Sequence, residues 1–282
     1  MIHGKTIWLA VNAASGSNSD DAVAALEQAF RNENCLVGRR IGFHEEGAPT
    51  IDELRRATVD VLVIFTGDGT VNSLVTGLTG WEGAVLVLPG GTMNILAHRL
   101  HGHAEPAEIV ARAARRARLV RPSLVRSRHG DGLSGILAGP GTAWAQVREA
   151  MRETDLLGTI SGAAEAIGES TAGSNVHCVE PACGRPEGYS AIQLVPGPDG
   201  FAVEGYYAET LGDYAKQGMA LLRRNFREGP HDSLGCYSSV RLACPEGEAM
   251  GLLIDGEPGD AENEETFTLA HCGVDLLATL DE

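Results

Sequence analysis

Three short apolar runs in the first third of the chain each stop at a glycine-bearing turn and pass into a helix-like pattern. That repetition constrains the fold more than any other feature. Residues 6–12 run into Ala13-Ala14-Ser15-Gly16, residues 61–65 into Gly67-Asp68-Gly69, and residues 84–88 into Pro89-Gly90-Gly91. An unbroken apolar run such as 61–65 suits a strand covered on both faces, as in a parallel sheet. Between the runs, Ala22, Leu26, Ala29 and Phe30 share one helical face behind a cap at Ser19 or Asp20. Thr50 with Glu53 makes a capping box that opens a second helix. Further helices are expected to begin near Thr92 and to cover about 106–117, the last with arginines on its solvent side. Strand and helix in alternation predict a doubly wound α/β domain with a mostly parallel sheet over residues 1–121.

The pattern changes after about Val120. Phe201, Val203, Gly205 and Tyr207 alternate with polar neighbours, as do Val240, Leu242 and Cys244, and Pro/Gly/Asp turns separate the runs. Period-two alternation with frequent turns predicts a mainly antiparallel, sandwich-like β domain over residues 122–282. Helical stretches are expected at 144–157 and 212–224, and a loop rich in Gly, Ser and Pro at 168–189.

Composition narrows the classes of function. The chain has 22 basic against 38 acidic side chains, a formal charge of −16, which repels nucleic acid and predicts no nucleic-acid partner. The apolar run near the N-terminus meets glycine too soon for a signal sequence, and no stretch approaches the roughly 20 residues that span a bilayer. Six cysteines without CxxC spacing are expected to be reduced thiols in a cytoplasmic protein.

The glycine turns suggest the chemistry. At parallel strand ends glycine lets a phosphate approach the backbone, and the helices that begin there offer unpaired N–H groups and a positive dipole end. Thr70, Thr92, Asn72 and Asn94 add neutral donors, so the set suits a nucleotide polyphosphate. Gly4-Lys5-Thr6 is no P-loop, because a strand follows it, and Gly67-Asp68-Gly69 is no dinucleotide fingerprint, because position 72 is Asn. A carboxylate inside an anion-binding turn repels phosphate unless a cation intervenes or it handles a proton. Asp68 therefore reads either as a partner of Mg²⁺ or as a plain helix cap.

Thr66-Gly67-Asp68-Gly69-Thr70-Val71-Asn72 resembles the GGDGTxN signature of the diacylglycerol kinase catalytic domain family, which is related to sphingosine kinases and more distantly to NAD kinases. Leu88–Asn94 resembles its LPxGTxN, residues 12–16 a thinned NPxSG, and residues 253–257 the DGE turn of bacterial members. Thr66 stands where the family has its first glycine and Ala14 where it has proline, while 41–44 offers no Thr after the second strand.

The resemblance implies ATP along the three turns, touching Asn12, Ser15, Gly16, Thr66, Gly67, Asp68, Gly69, Thr70, Asn72, Gly91, Thr92 and Asn94, with the active site in a cleft between the domains. It implies Glu257 as general base, with Asp255 beside it and Asp68 holding Mg²⁺ or a water network. It also implies a structural Mg²⁺ at Asp199 and the backbone of Phe201, where a plain Pro-Asp-Gly turn is the competing reading. The acceptor would be a lipid alcohol such as a diacylglycerol or sphingoid base, reached by transient contact with a membrane surface. The residues are silent on oligomeric state and leave a homodimer open. Two alternatives stand beside the lipid kinase: a catalytically silent nucleotide- or lipid-binding homologue, and a small-molecule kinase of the NAD kinase type.

Other clusters read more plainly. His98, His101 and His103 fall at a helix end, and Arg112, Arg115, Arg116 and Arg118 suit a solvated helix face. His177-Cys178 with Cys183 lacks the second pair a zinc site needs.

Overall fold

The computed structural model describes residues 2–12, 19–142, 175–207, 231–245 and 248–280. It divides into two compact units, Met1–Pro122 with His271–Glu282, and Ser123–Ala270. The helices expected at 144–157 and 212–224 lie outside the described residues, as does 168–174 of the expected loop.

The first unit opens with β1 (Ile7–Val11), buried at every position. Helix α1 (Asp20–Asn32) follows a cap in which the Ser19 hydroxyl accepts from the Ala22 amide at 3.2 Å, and it buries Val23, Leu26, Ala29 and Phe30. Strand β2 (Val37–Gly42) and the single-turn α2 (Phe43–Glu46) precede α3 (Ile51–Arg56). Thr50 and Glu53 close the capping box at the start of α3, so a purely local signal sets that boundary. Then come β3 (Val61–Thr66), α4 (Asp68–Gly77), β4 (Ala84–Pro89), α5 (Ile95–His101), α6 (Pro106–Arg115) and β5 (Arg118–Val120). Helix α5 begins later than Thr92 because Asn94 adopts a left-handed backbone, φ 52°, and cannot continue a helix backwards.

The second unit contains β6 (Ser123–Ser127), β7 (Gly130–Gly132), β8 (Ile136–Ala138), β9 (His177–Glu180), β10 (Ala182–Cys183), β11 (Ala191–Pro196), β12 (Phe201–Tyr206), β13 (His231–Tyr237), β14 (Ser239–Ala243), β15 (Met250–Ile254), β16 (Glu257–Ala261) and β17 (Glu264–His271). They form two six-stranded sheets, β10-β9-β14-β17-β6-β7 and β13-β12-β11-β8-β15-β16. Alternate residues of both sheets, among them Val240, Leu242 and Phe267 from one and Ile192, Val203 and Leu252 from the other, fill one shared core, which makes the unit a sandwich. The described part of the expected loop, 175–189, contains the β9–β10 hairpin. Val176 and Cys178 face that core, a two-residue spacing masked by the surrounding glycines and prolines.

The last strand, β18 (Asp275–Ala278), belongs to the first unit. It pairs parallel to β4 and antiparallel to β5, completing the order β2-β1-β3-β4-β18-β5. The sequence reading grouped residues 122–282 in one domain; strand β18 within that range pairs in the first sheet instead. The order places the topological switch between β1 and β3, where ligands of such sheets bind. The registers Val11↔Phe65 and Thr66↔Pro89 bring the C-terminal ends of β1, β3 and β4 to one edge.

Candidate functional site

The turns after β3 and β4 are locked to each other and to the end of β1, while residues 13–18, the turn after β1, lie outside the described residues. Asn12 Nδ2 donates to Thr70 Oγ1 at 3.2 Å, tying the end of β1 to the first turn of α4. Asp68 accepts from the amide of Asn94 (Oδ2, 2.8 Å) and from that of Ile95 (Oδ1, 2.8 Å), tying the turn after β3 to the turn after β4. Gly91 packs so close that a Cβ there would lie 2.5 Å from the Gly67 Cα, which only glycine permits. Asn94 holds its left-handed backbone through its own side chain, with Oδ1 accepting from Gly91 N at 2.7 Å and Nδ2 donating to Gly91 O at 3.0 Å.

Asp68 is thus a clamp. The sequence reading gave it Mg²⁺ or a water network, or else a cap on the helix it begins. Its oxygens instead cap α5, across the neighbouring turn. Burial pushes its pKa up, and the backbone donors at Asn94 and Ile95 pull it back.

Helix α4 starts at Gly67 with no side-chain cap, so its first-turn N–H groups have neither an intrahelical partner nor a cap. Gly69 and Thr70 are half-buried in that turn, and Asn72 follows two residues after Thr70. Thr92 is exposed. Thr66 ends β3, and its side chain is buried with a hydroxyl that has no hydrogen-bond partner. Neither Thr66 nor Gly67 needs positive φ, so losing the family's first glycine removes no required torsion. Ser15 and Gly16 lie outside the described residues.

In the second unit, Asp255 and Gly256 make the two-residue turn between β15 and β16, with Ile254 facing Glu257. Both turn residues have positive φ, 50° and 90°, the geometry that makes Asp-Gly a preferred hairpin pair. The Asp255 carboxylate accepts from the amides of Leu133 (3.0 Å), Ser134 (2.8 Å) and Gly135 (2.9 Å). It therefore anchors the turn to the segment before β8. Glu257, two residues on, is exposed. Asp199 is exposed in the β11–β12 turn, where Gly197 N donates to Gly200 O at 2.7 Å, and the Phe201 side chain is fully buried. Among the described residues no group of three or more His, Cys, Asp or Glu side chains converges on a common point.

Sequence reasoning placed His101 at a helix end without its burial. It is buried at the end of α5, with Nδ1 2.9 Å from Thr279 Oγ1, and burial pushes its pKa down to about 4. The contact bridges 178 residues, and no local pattern announces it.

Residues 6–124 match the diacylglycerol kinase catalytic domain. The chain is similar to the structure of a diacylglycerol kinase from Bacillus anthracis str. Sterne, with a TM-score of 0.59, 13% identity and 97% of each chain covered. Another structure from the same organism gives a TM-score of 0.56 and 14% identity over 96% of this chain and 97% of that one. At such identities the likeness speaks for the fold. No curated protein matches the sequence.

Proposed function

We propose, from the premise that residues 6–124 belong to the diacylglycerol kinase catalytic domain family, that this protein is an ATP-dependent kinase transferring the γ-phosphoryl group to the hydroxyl of a diacylglycerol-like or sphingoid lipid. The observation that carries the reading is the interlocking of the turns after β3 and β4 with the end of β1 at the switch point of the parallel sheet. The triphosphate rests against the uncapped first turn of α4, where open amides and the helix dipole favour anionic oxygens. Thr70 already accepts a hydrogen bond from Asn12, which leaves its own O–H to donate to a phosphate oxygen.

Mg²⁺ enters with ATP as part of the substrate, held by the phosphates and water. Asp68 keeps the turn after β4 in register. In the second unit Asp255 fixes the hairpin, and Glu257 takes the proton of the lipid hydroxyl as its oxygen attacks the γ-phosphorus and ADP departs. Little proton removal is needed before the transition state, because phosphoryl transfer is loose and charge stabilisation dominates. The reading requires Glu257 to meet the γ-phosphate held by the first unit. A lipid acceptor further requires that the protein visit a membrane surface; among the described residues no helix is long and apolar enough to cross one.

A second reading, a nucleotide-binding protein without transfer activity, is favoured by the engagement of Asp68 with backbone amides. One assay separates the two. Protein with Mg²⁺ and γ-labelled ATP is offered diacylglycerols, sphingoid bases, other lipid alcohols and NAD. Label in a lipid product is expected, with Glu257→Gln lowering turnover by about 10²–10⁴-fold at an unchanged unfolding midpoint. ATP binding with no labelled product would establish the silent reading, and label on NAD the small-molecule one.

A further inference from the structure

Cys178 and Cys183 take no part in the chemistry above, yet they are brought together more closely than packing alone requires. They face each other across the β9–β10 hairpin in the register Cys178↔Cys183, with Val179↔Ala182 inside them and Glu180-Pro181 at the turn. Facing residues of an antiparallel pair have Cα atoms about 4.5–5.5 Å apart, within the roughly 4.4–6.8 Å that a disulfide bridges. Both residues are free thiols, and Cys183 Sγ donates to Cys178 Sγ at 2.8 Å. Forming a bond of about 2.05 Å needs a shift of well under an ångström and no change of register.

The two thiols differ in their surroundings. Cys178 lies in the core of the sandwich, its Sγ–H also donating to the Pro181 carbonyl at 3.1 Å. Burial, and then the neighbouring sulfur, push its pKa up to about 12. Cys183 is half-buried on β10, the edge strand of its sheet. A small reagent therefore meets Cys183 first, and Cys178 stands behind it as the partner that closes the bond. Two cysteines that served only as small apolar side chains would have no reason to point their sulfurs at one another.

We propose that Cys178 and Cys183 form an oxidative modification site, an edge-hairpin dithiol that small-molecule disulfides convert reversibly into a cross-strand disulfide. The Cys183 thiolate attacks one sulfur of the reagent, forming a mixed disulfide and releasing one reagent thiolate. Cys178 then gives up its proton, which that thiolate accepts, and attacks Cys183 Sγ, expelling the second reagent thiolate. Two protein thiols are oxidised by two electrons, and one reagent disulfide is reduced to two thiols. The bond staples the edge hairpin.

The test uses the full chain, fully reduced, then incubated with oxidised glutathione, alkylated and mapped by mass spectrometry. Both cysteines fall in one tryptic peptide, residues 153–216, because trypsin does not cleave the Arg185-Pro186 bond, and it contains no other cysteine. The expected product is that peptide lighter by two hydrogen atoms with neither cysteine alkylated, while Cys35, Cys236, Cys244 and Cys272 are alkylated, and a reductant reverses the change. Cys178→Ser is expected to stop at glutathione on Cys183, and Cys183→Ser to leave Cys178 unmodified. The proposal is overturned if glutathione remains on Cys183 in the unsubstituted protein, if both cysteines are alkylated after exposure, or if the exposed Cys236 is the residue that reacts.

Discussion

The turn at Asp68 and the turn at Asp255 answer the same problem in opposite settings. Each is an Asp-Gly step at a strand end, and each spends its carboxylate on backbone amides of a distant segment: Asn94 and Ile95 for Asp68, Leu133, Ser134 and Gly135 for Asp255. They differ in what remains open beside them. Next to Asp68 the open groups are donors, the first-turn amides of α4, which suit an anion. Next to Asp255 the open group is an acceptor, the exposed Glu257 carboxylate, which suits a proton. Motif carboxylates in both units thus brace the backbone, and the proposed function gives the chemistry to their neighbours.

The largest effect is expected where the carboxylate does most. Asp255→Ala removes an acceptor from three amides and puts a side chain that disfavours positive φ at 50°. Urea unfolding should show a loss of roughly 3–4 kcal/mol. A loss below about 1 kcal/mol would mean that the hairpin is held by something else.

A second asymmetry lies in acid sensitivity, since the buried neutral histidine belongs to the first unit. The folded pKa of His101, about 4, lies below the ordinary 6.5. Its contribution is therefore complete above pH 6.5 and is lost as pH falls towards 4, for a total of about 3 kcal/mol. Unfolding measured across that window should steepen accordingly, and His101→Gln should flatten it. An unchanged profile in the variant would remove His101 from the account.

Asp68→Asn comes next. An amide offers one acceptor oxygen and turns its NH₂ toward other donors, so about 2 kcal/mol of stability should go along with transfer activity. Lost activity at full stability would break the comparison, because Asp68 would then act on the substrate as Glu257 is proposed to do. The smallest effect has the opposite sign. Thr66→Val keeps the shape at a buried site and deletes a hydroxyl without a partner, so thermal unfolding should show a gain of about 1 kcal/mol.

What could be read from the sequence was whatever is encoded within a few residues. The apolar runs of β1, β3 and β4, the Thr50–Glu53 box and the alternation in β12 and β14 lie in consecutive residues, and the structure contains each of them. The glycine turns were legible as turns, and the parallel order implied a shared edge. The partners of the motif carboxylates were not legible. Asp68 reaches 26 and 27 residues along the chain, and Asp255 reaches 120 to 122 residues back. A spacing argument cannot tell such a clamp from a metal ligand. Strand β18 was hidden for the same reason, since its partners β4 and β5 lie far upstream. Gly91 shows the limit on a smaller scale. Its glycine serves close contact with Gly67 rather than an unusual torsion, and a sequence does not distinguish these uses.

The central claim is that the interlocked turns after β3 and β4, tied to the end of β1, hold a triphosphate. Calorimetric titration with Mg-ATP of the unaltered protein and of Gly91→Ala tests it most directly, since the added Cβ would force the turns after β3 and β4 apart. The account predicts binding by the former and at least about tenfold weaker binding by the latter, or about 1.4 kcal/mol, with the variant still folded by circular dichroism. Equal affinity in the two proteins would contradict it.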